Sequence, residues 1–473
     1  MKVLLVTQGD PDEAMTGVAT YVRSLGDALA GNGDEVAHCF SPRPRSPGRL
    51  RLDWTVRGGR TIAMIANSPL LQPFPPERME HDIVHGVCEA LFADAVRRIC
   101  PDVVHLHDLA GLPAGVIPRA RQRGCGVVMT LHDFWPFCRR QFLLRPGLIP
   151  CEGSAGGQRC ARFCAARPPK LRRLAARIES RPSWAFARSM VRGARNVRAR
   201  IHGAAPSQFR LPASADGPAW PDLGTIGAYA AREAGMRDCV LETNVLLTVS
   251  EFVKSMYVRH GYPESRLRVL PPPVSVSDRV TFRPREFRGY PIRFGYLGKV
   301  TPLKGAHLLA EAAAAVPPER GRFTFYGDVA AEDRRYLLTL AAHHPGVHFA
   351  GPYGPDRLPD ILDDIDVAVL PSLARETRGM VGLEAQAAGL PIIGSDGGAL
   401  PEYVQHGVNG LLFANGSVAA LSGALLRIID DPAILQRLSA NVRPPERMPV
   451  HVRRIAAVYR QAIGAAGAVE GGR

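Results

Sequence analysis

Short apolar runs and longer helical patterns take turns along this chain from its first residues. Val3 to Val6 is an apolar run of strand length, and apolar residues then recur at helical spacing from Val18 to Leu29 until Gly31 and Gly33 stop the pattern. Val103-Val104-His105-Leu106 and Val127-Val128-Met129-Thr130-Leu131 are further strand candidates, each followed by a histidine and an aspartate. Strand, helix, strand at this rhythm predicts a parallel sheet covered by helices on both faces.

Near residues 271 to 291 the texture changes. Pro271-Pro272-Pro273, then Pro284, Arg285 and Gly289-Tyr290-Pro291, carry little periodicity and predict a linker. The alternation restarts afterwards: strand Arg293 to Leu297, helix Leu308 to Ala315, and strands Phe323 to Tyr326, Val347 to Phe349 and Val367 to Leu370. This predicts a second unit of the same α/β class. The expected division is 1–275, a linker at 276–290, a second unit at 291–445, and a terminal helix and tail at 446–473 that can pack back on the first unit.

A length of 473 residues suits two domains rather than one core, and 46% hydrophobic with 22% charged residues excludes a disordered or fibrous chain. Gln8, Gly9 and Asp10 cut the first apolar run before a secretory core forms, and no apolar stretch is long enough to span a bilayer. The expected compartment is cytoplasmic.

The net charge of +15 lies entirely before residue 291, because beyond it 18 Lys/Arg balance 18 Asp/Glu. Its densest part, Arg167 to Arg200, carries eleven Lys/Arg against Glu179, with Leu171, Leu174, Ile178, Trp184 and Phe186 interleaved. Such a stretch suits peripheral contact with an anionic membrane or an acidic acceptor; a solvated helical face is the plain alternative. No nucleic-acid-binding pattern accompanies the charge.

In open parallel sheets ligands bind beyond the carboxyl ends of the strands, so the loops there carry the candidate chemistry. After Val367 to Leu370 comes Pro371-Ser372-Leu373-Ala374-Arg375-Glu376-Thr377-Arg378-Gly379, and then a predicted helix from Met380 to about Ala388, stopped by Gly389 and Pro391. Glu376 in the loop and Glu384 in the helix flank a helix start that attracts anions, and each carboxylate can accept sugar hydroxyls. Alone, two acids there are ordinary.

The loop Gly298-Lys299-Val300-Thr301-Pro302-Leu303-Lys304-Gly305 offers two lysines to a diphosphate, without the spacing of a dinucleotide fingerprint or a P-loop. Thr16-Gly17-Val18 opens the first helix and allows close approach of a ligand. His132-Asp133 ends a buried strand where an imidazole can bond a phosphate or hydroxyl; His107 is read mainly as a cap on the sheet.

Together these loops resemble the GT-B glycosyltransferases, and within them the retaining family 4 type. The resemblance runs from Met1 to about Ile429 and is strongest in the E-x7-E pair of Glu376 and Glu384. Pro391-Ile392-Ile393-Gly394-Ser395-Asp396-Gly397-Gly398, Pro401-Glu402-Tyr403 and His406-Gly407-Val408-Asn409-Gly410 extend it. It implies two Rossmann-like domains facing each other across a cleft, and transfer of a sugar from a UDP- or GDP-type donor to a glycan, lipid-linked or small-molecule acceptor.

By the same resemblance, Glu376 and His132 act at the transferred sugar, Glu384 takes the ribose, Lys299 and Lys304 the diphosphate, Gly379, Met380 and Val381 the phosphate or sugar through their backbone, and Gly17 lets its loop close. No catalytic metal is implied. Four departures stand out: Thr16 for a glycine, Lys299 for an arginine, Arg378 for an aromatic, and Pro271-Pro272-Pro273 for an Asn-Gly turn. A sugar-nucleotide epimerase on the same fold and a non-catalytic anion-binding module are the alternative readings.

Four of the nine cysteines, Cys138, Cys151, Cys160 and Cys164, cluster just after the His132 loop among glycines and prolines. Four thiolates in a segment with little core of its own suit a structural zinc site beside the cleft. The spacing lacks a C-x-x-C pair, so free thiols and disulfides remain as alternatives.

Overall fold

A computed structural model describes residues 1–13, 16–42, 48–71, 76–165, 223–329, 334, 336–339 and 344–470. The basic stretch from Arg167 to Arg200, and the expectations attached to it, lie outside the described residues.

Two sheets carry the fold. The first has eight strands: β1 (Lys2–Thr7), β2 (Glu35–Phe40), β3 (Arg51–Arg57), β4 (Arg60–Ala66), β5 (Val103–Leu106), β6 (Gly126–Leu131), β9 (Val245–Thr248) and β10 (Leu267–Val269). Their spatial order is β10-β9-β6-β5-β1-β2-β4-β3, and every pair is parallel except the β3–β4 hairpin. A two-stranded ribbon, β7 (Leu144–Arg145) with β8 (Ile149–Pro150), stands apart.

The apolar runs are continuous because both faces of the sheet are covered. Along β1, Val3 and Leu5 pack with the Gly17–Gly31 and Met448–Glu470 helices, while Leu4 and Val6 pack with the Gly86–Ile99 and Val116–Arg121 helices. One strand thus serves two cores.

The second sheet holds β11 (Ile292–Leu297), β12 (Gly321–Tyr326), β13 (Val347–Gly351), β14 (Val367–Leu370), β15 (Ile392–Ser395) and β16 (Gly410–Phe413), all parallel. Its order, β13-β12-β11-β14-β15-β16, is the doubly wound order in which the first strand lies beside the fourth. Crossovers leave β11 and β14 in opposite directions. In sheets of this order, the carboxyl ends of β11 and β14 are where ligands bind.

The chain between the sheets is irregular but anchored. Val274 and Val276 are buried beneath the Met380–Ala387 helix. Arg285 is buried against the second unit, with its N–H on Ser439 Oγ at 2.5 Å and its guanidinium on the Leu362 carbonyl at 2.9 Å.

The terminal helix crosses back to the first sheet. Met448, Val452, Ile455, Val458, Tyr459 and Ala462 are buried there, and Tyr459 Oη and His105 Nδ1 lie 2.8 Å apart. Burial of each large side chain contributes about 1.5–3 kcal/mol, which holds the end of the chain to its beginning.

Candidate active site

The loops after β11 and β14 are tied together through one carbonyl. Leu303 O accepts from the N–H groups of Leu373 and Ala374, both at 3.1 Å, and from Ser372 Oγ at 3.4 Å. Gly305, with φ of 68°, lies so close that a β-carbon there would meet the Pro371 carbonyl. This seam brings Lys304 Nζ to 2.7 Å from Glu376 Oε1. The Glu376 carbonyl in turn accepts from Ala399 N at 2.8 Å. Sequence positions 72 apart form an ion pair at the crossover.

Three residues later the chain turns sharply into the Met380–Ala387 helix. Gly379 takes the left-handed conformation, φ 71° and ψ 59°, and a β-carbon there would sit 2.5 Å from Tyr403 Oη. That hydroxyl donates to the Gly379 carbonyl at 3.0 Å, fixing the entry to the helix. No side chain caps it. The amides of Met380 and Val381 have no acceptor among the described residues and remain open to an anion.

Glu384, on the same helix, has no hydrogen-bond partner among the described residues, and enclosure by the loops pushes its carboxyl up to about 7. Lys299 is exposed, while its carbonyl accepts from Tyr296 Oη at 2.7 Å. Gly17 begins the Gly17–Gly31 helix opposite, where a β-carbon would stand 3.3 Å from Met380 Cγ. Thr16 caps that helix by accepting from Ala19 N, which gives the substituted position a structural role.

The facing wall is built from rings. His132, at the end of β6, places Nε2 3.1 Å from His107 Nδ1, and Tyr21 lies 5.6 Å from the first ring and 5.7 Å from the second. Tyr21 Oη meets His451 Nε2 at 2.8 Å, and His105 Nε2 meets Thr130 Oγ1 at 2.8 Å. Burial pushes His132 down to about 3 and His451 to about 4, and holds His105 and His107 well below the usual imidazole range. All four are neutral at pH 7. This wall offers hydrogen bonds rather than countercharge.

His132 and Glu376 are not bonded to each other; they belong to opposite walls. His107, read from sequence as a cap on the sheet, is fully enclosed and bonds to His132 instead. Sequence reasoning also passed over two carboxyls beside it. Asp133 accepts from Trp135 N and Gln141 Nε2, yet burial raises it to about 6; burial, and then the Asp133 charge, hold Asp108 well above the usual carboxylate range. The repeated His-Asp after β5 and β6 was the available signal.

Among the described residues three polar contacts join the walls, and none was foreseen. Ser250 Oγ donates to the Thr377 carbonyl at 2.7 Å. Glu402 accepts from the N–H groups of Glu251 and Phe252, at 3.2 and 2.7 Å, at the start of the Glu251–Arg259 helix. Arg375 reaches Glu152 at 2.7 Å. Arg378 stacks on the Tyr403 ring at 5.7 Å, and burial holds its guanidinium below the usual range.

None of the four clustered cysteines is joined in a disulfide. Among the described residues no group of three or more His, Cys, Asp and Glu side chains stands in ready metal-ligand geometry. Among the same residues no helix is long and apolar enough to cross a membrane.

Residues 291–431 match the family model described as Glycosyl transferases group 1, and residues 15–197 match Glycosyltransferase Family 4. D-inositol 3-phosphate glycosyltransferase of Rhodococcus erythropolis is 29% identical over 235 residues, 45% of this chain and 51% of the relative. The chain thus spans about half the length of the curated relatives it matches. Sucrose-phosphate synthase of Thermosynechococcus elongatus shares the fold at a TM-score of 0.61 and 19% identity, covering 98% of this chain and 99% of that one. Anabaena HepE, solved with UDP and glucose, does so at 0.56 and 15%, covering 97% and 99%.

Proposed function

We propose that this chain, which belongs to the GT-B glycosyltransferases of the family 4 type, moves a sugar from a nucleoside-diphosphate donor to a hydroxyl acceptor with retention of anomeric configuration. The observation that carries this reading is the Lys304–Glu376 pair at the β11/β14 crossover, beside the Met380 and Val381 amides and the Glu384 carboxyl, none of which has a hydrogen-bond partner among the described residues.

Each part answers one part of a donor. Lys304 and Lys299 meet the diphosphate as point charges, and the two amides add donors at a helix start. Glu384 accepts the ribose hydroxyls. Glu376, released as Lys304 turns to phosphate, accepts hydroxyls of the transferred sugar.

The chemistry follows from charge. The bond from the anomeric carbon to the diphosphate oxygen breaks, and negative charge builds on the leaving group, where the lysines and amides stand ready. The acceptor oxygen bonds to the anomeric carbon on the face the diphosphate leaves, and its proton passes to a departing phosphate oxygen. No strong base is needed. Neutral His132 bonds a hydroxyl of the transferred sugar from the opposite wall.

A thermal-shift panel of nucleoside diphosphates and their sugars tests the donor claim. UDP or GDP at a hundred times its dissociation constant is expected to stabilise the protein by about 2.7 kcal/mol. Absence of a shift with every nucleotide sinks the reading. The anomeric configuration of the product, read by NMR, tests retention separately.

A further inference from the structure

The histidines that end β5 and β6 share a single hydrogen bond, His132 Nε2 lying 3.1 Å from His107 Nδ1. Burial keeps both rings neutral, so each carries one N–H. His107 is 2% exposed, and its Nε2 is buried without a hydrogen-bond partner among the described residues. His132 is only partly buried, and its Nδ1 has no partner among the same residues.

Two proton placements satisfy the shared bond, and the bonds around the rings choose between them. If His132 donated from Nε2, His107 would carry its own proton on Nε2, as a buried N–H with nothing to receive it. If His107 donates from Nδ1, its Nε2 is left bare instead. An orphaned buried N–H is the rarer and costlier defect, which favours the second placement. His132 Nε2 then accepts, and the His132 proton sits on Nδ1, the nitrogen left open.

The neighbours leave this pair alone. His105 meets Tyr459 Oη through Nδ1 and Thr130 Oγ1 through Nε2, both at 2.8 Å, while Tyr21 Oη is bonded to His451 Nε2. The Tyr21 ring packs 5.7 Å from His107 and 5.6 Å from His132 and limits the rotation of both.

We propose that His107 is a positioning residue that holds His132 in its Nδ1–H form, so that the first wall meets the substrate with a fixed hydrogen-bond donor. Its consequence rests on the transfer reading above: the atom that His132 meets is a hydroxyl oxygen of the transferred sugar, accepting through a lone pair. The acceptor's proton cannot pass to a nitrogen that already holds one. It goes to the departing phosphate.

NMR of the full chain labelled with 15N-histidine tests the pair directly, with His132→Gln to assign the His132 signals. His132 is expected to show a protonated Nδ1 and a bare Nε2 at neutral pH. His107→Leu should let that proton move toward Nε2, and His107→Asn, whose amide N–H can stand near the lost Nδ1, should restore the original form. Binding supplies the second readout, with UDP-glucose set against UDP and GDP-mannose against GDP. His107→Leu is expected to weaken the nucleotide sugar about tenfold and to leave the free nucleotide within about twofold, because only the sugar reaches His132. A His132 proton on Nε2 in the unaltered chain overturns the proposal, as does a His107→Leu chain that loses sugar nucleotide and free nucleotide equally or loses neither. If no nucleotide binds, the transfer reading fails while the spectrum of the unaltered chain still decides the pair; the same spectrum decides it if His107→Leu does not fold.

Discussion

The two walls of the crevice solve opposite problems. The second sheet presents charge: Lys304 and Glu376 at 2.7 Å, exposed Lys299, and Glu384, to which nothing is bonded among the described residues. The first sheet presents neutral rings, with His132, His107, His105 and His451 all uncharged near neutrality. A charged donor needs fixed countercharge, whereas an acceptor hydroxyl needs orientation. A wall that is charged before the ligand arrives pays no reorganisation when the leaving group forms.

Removing the charge is the most direct way to break this contrast. Lys304→Ala is expected to lower the transfer rate by about a hundredfold to a thousandfold, the range for removing one preorganised transition-state donor. Steady-state kinetics with donor and acceptor varied separately would check it. If the rate falls no more than a few-fold while His132→Ala abolishes transfer, the division of labour proposed here is reversed.

The pH response of donor binding sharpens the same contrast. Glu384 sits at about 7 in the free protein because enclosure disfavours its charge. Hydroxyls donating to the carboxylate favour the charged form, so binding lowers that value and releases a proton below it. Affinity should therefore rise with pH up to about 7 and then level, with binding roughly tenfold weaker at about pH 6 than at about pH 8. Calorimetry on the unaltered chain and on Glu384→Gln isolates this slope from titration of the phosphates. Equal slopes in both proteins would remove Glu384 from the donor's ribose.

The charged wall was also the more legible one in sequence, for a physical reason. Strands such as β1, β6, β11 and β14 are buried on both faces, so they read as unbroken apolar runs; β14 has the predicted bounds and the others shift by only a residue or so at their ends. The helix expected from Met380 to about Ala388 runs Met380–Ala387, since Gly379 and Gly389, both at positive φ, punctuate it. That Lys304 touches Glu376 was not legible. It depends on strand order and on the Leu303 carbonyl, neither of which leaves a local mark. The facing wall was harder still, because a histidine that caps a sheet and one that orients another histidine look alike until Tyr21 and the terminal helix are placed around them.

The contact between the walls gives the smallest effect and separates two views of the crevice. Arg375 and Glu152 pair across 223 residues, but their side chains keep 25% and 52% of their exposure, so water screens them. Exposed pairs contribute about 0.2–1 kcal/mol, and the coupling from a double-mutant cycle of Glu152→Gln and Arg375→Gln should fall in that range. Each single variant should raise the donor KM a few-fold, because Arg375 precedes Glu376 and loses one of its restraints. If the two effects add without coupling, the pair does not hold the walls together, and Ser250–Thr377 and the Glu402 cap carry the junction alone. If they do not add, the neutral wall takes part in placing the charged one.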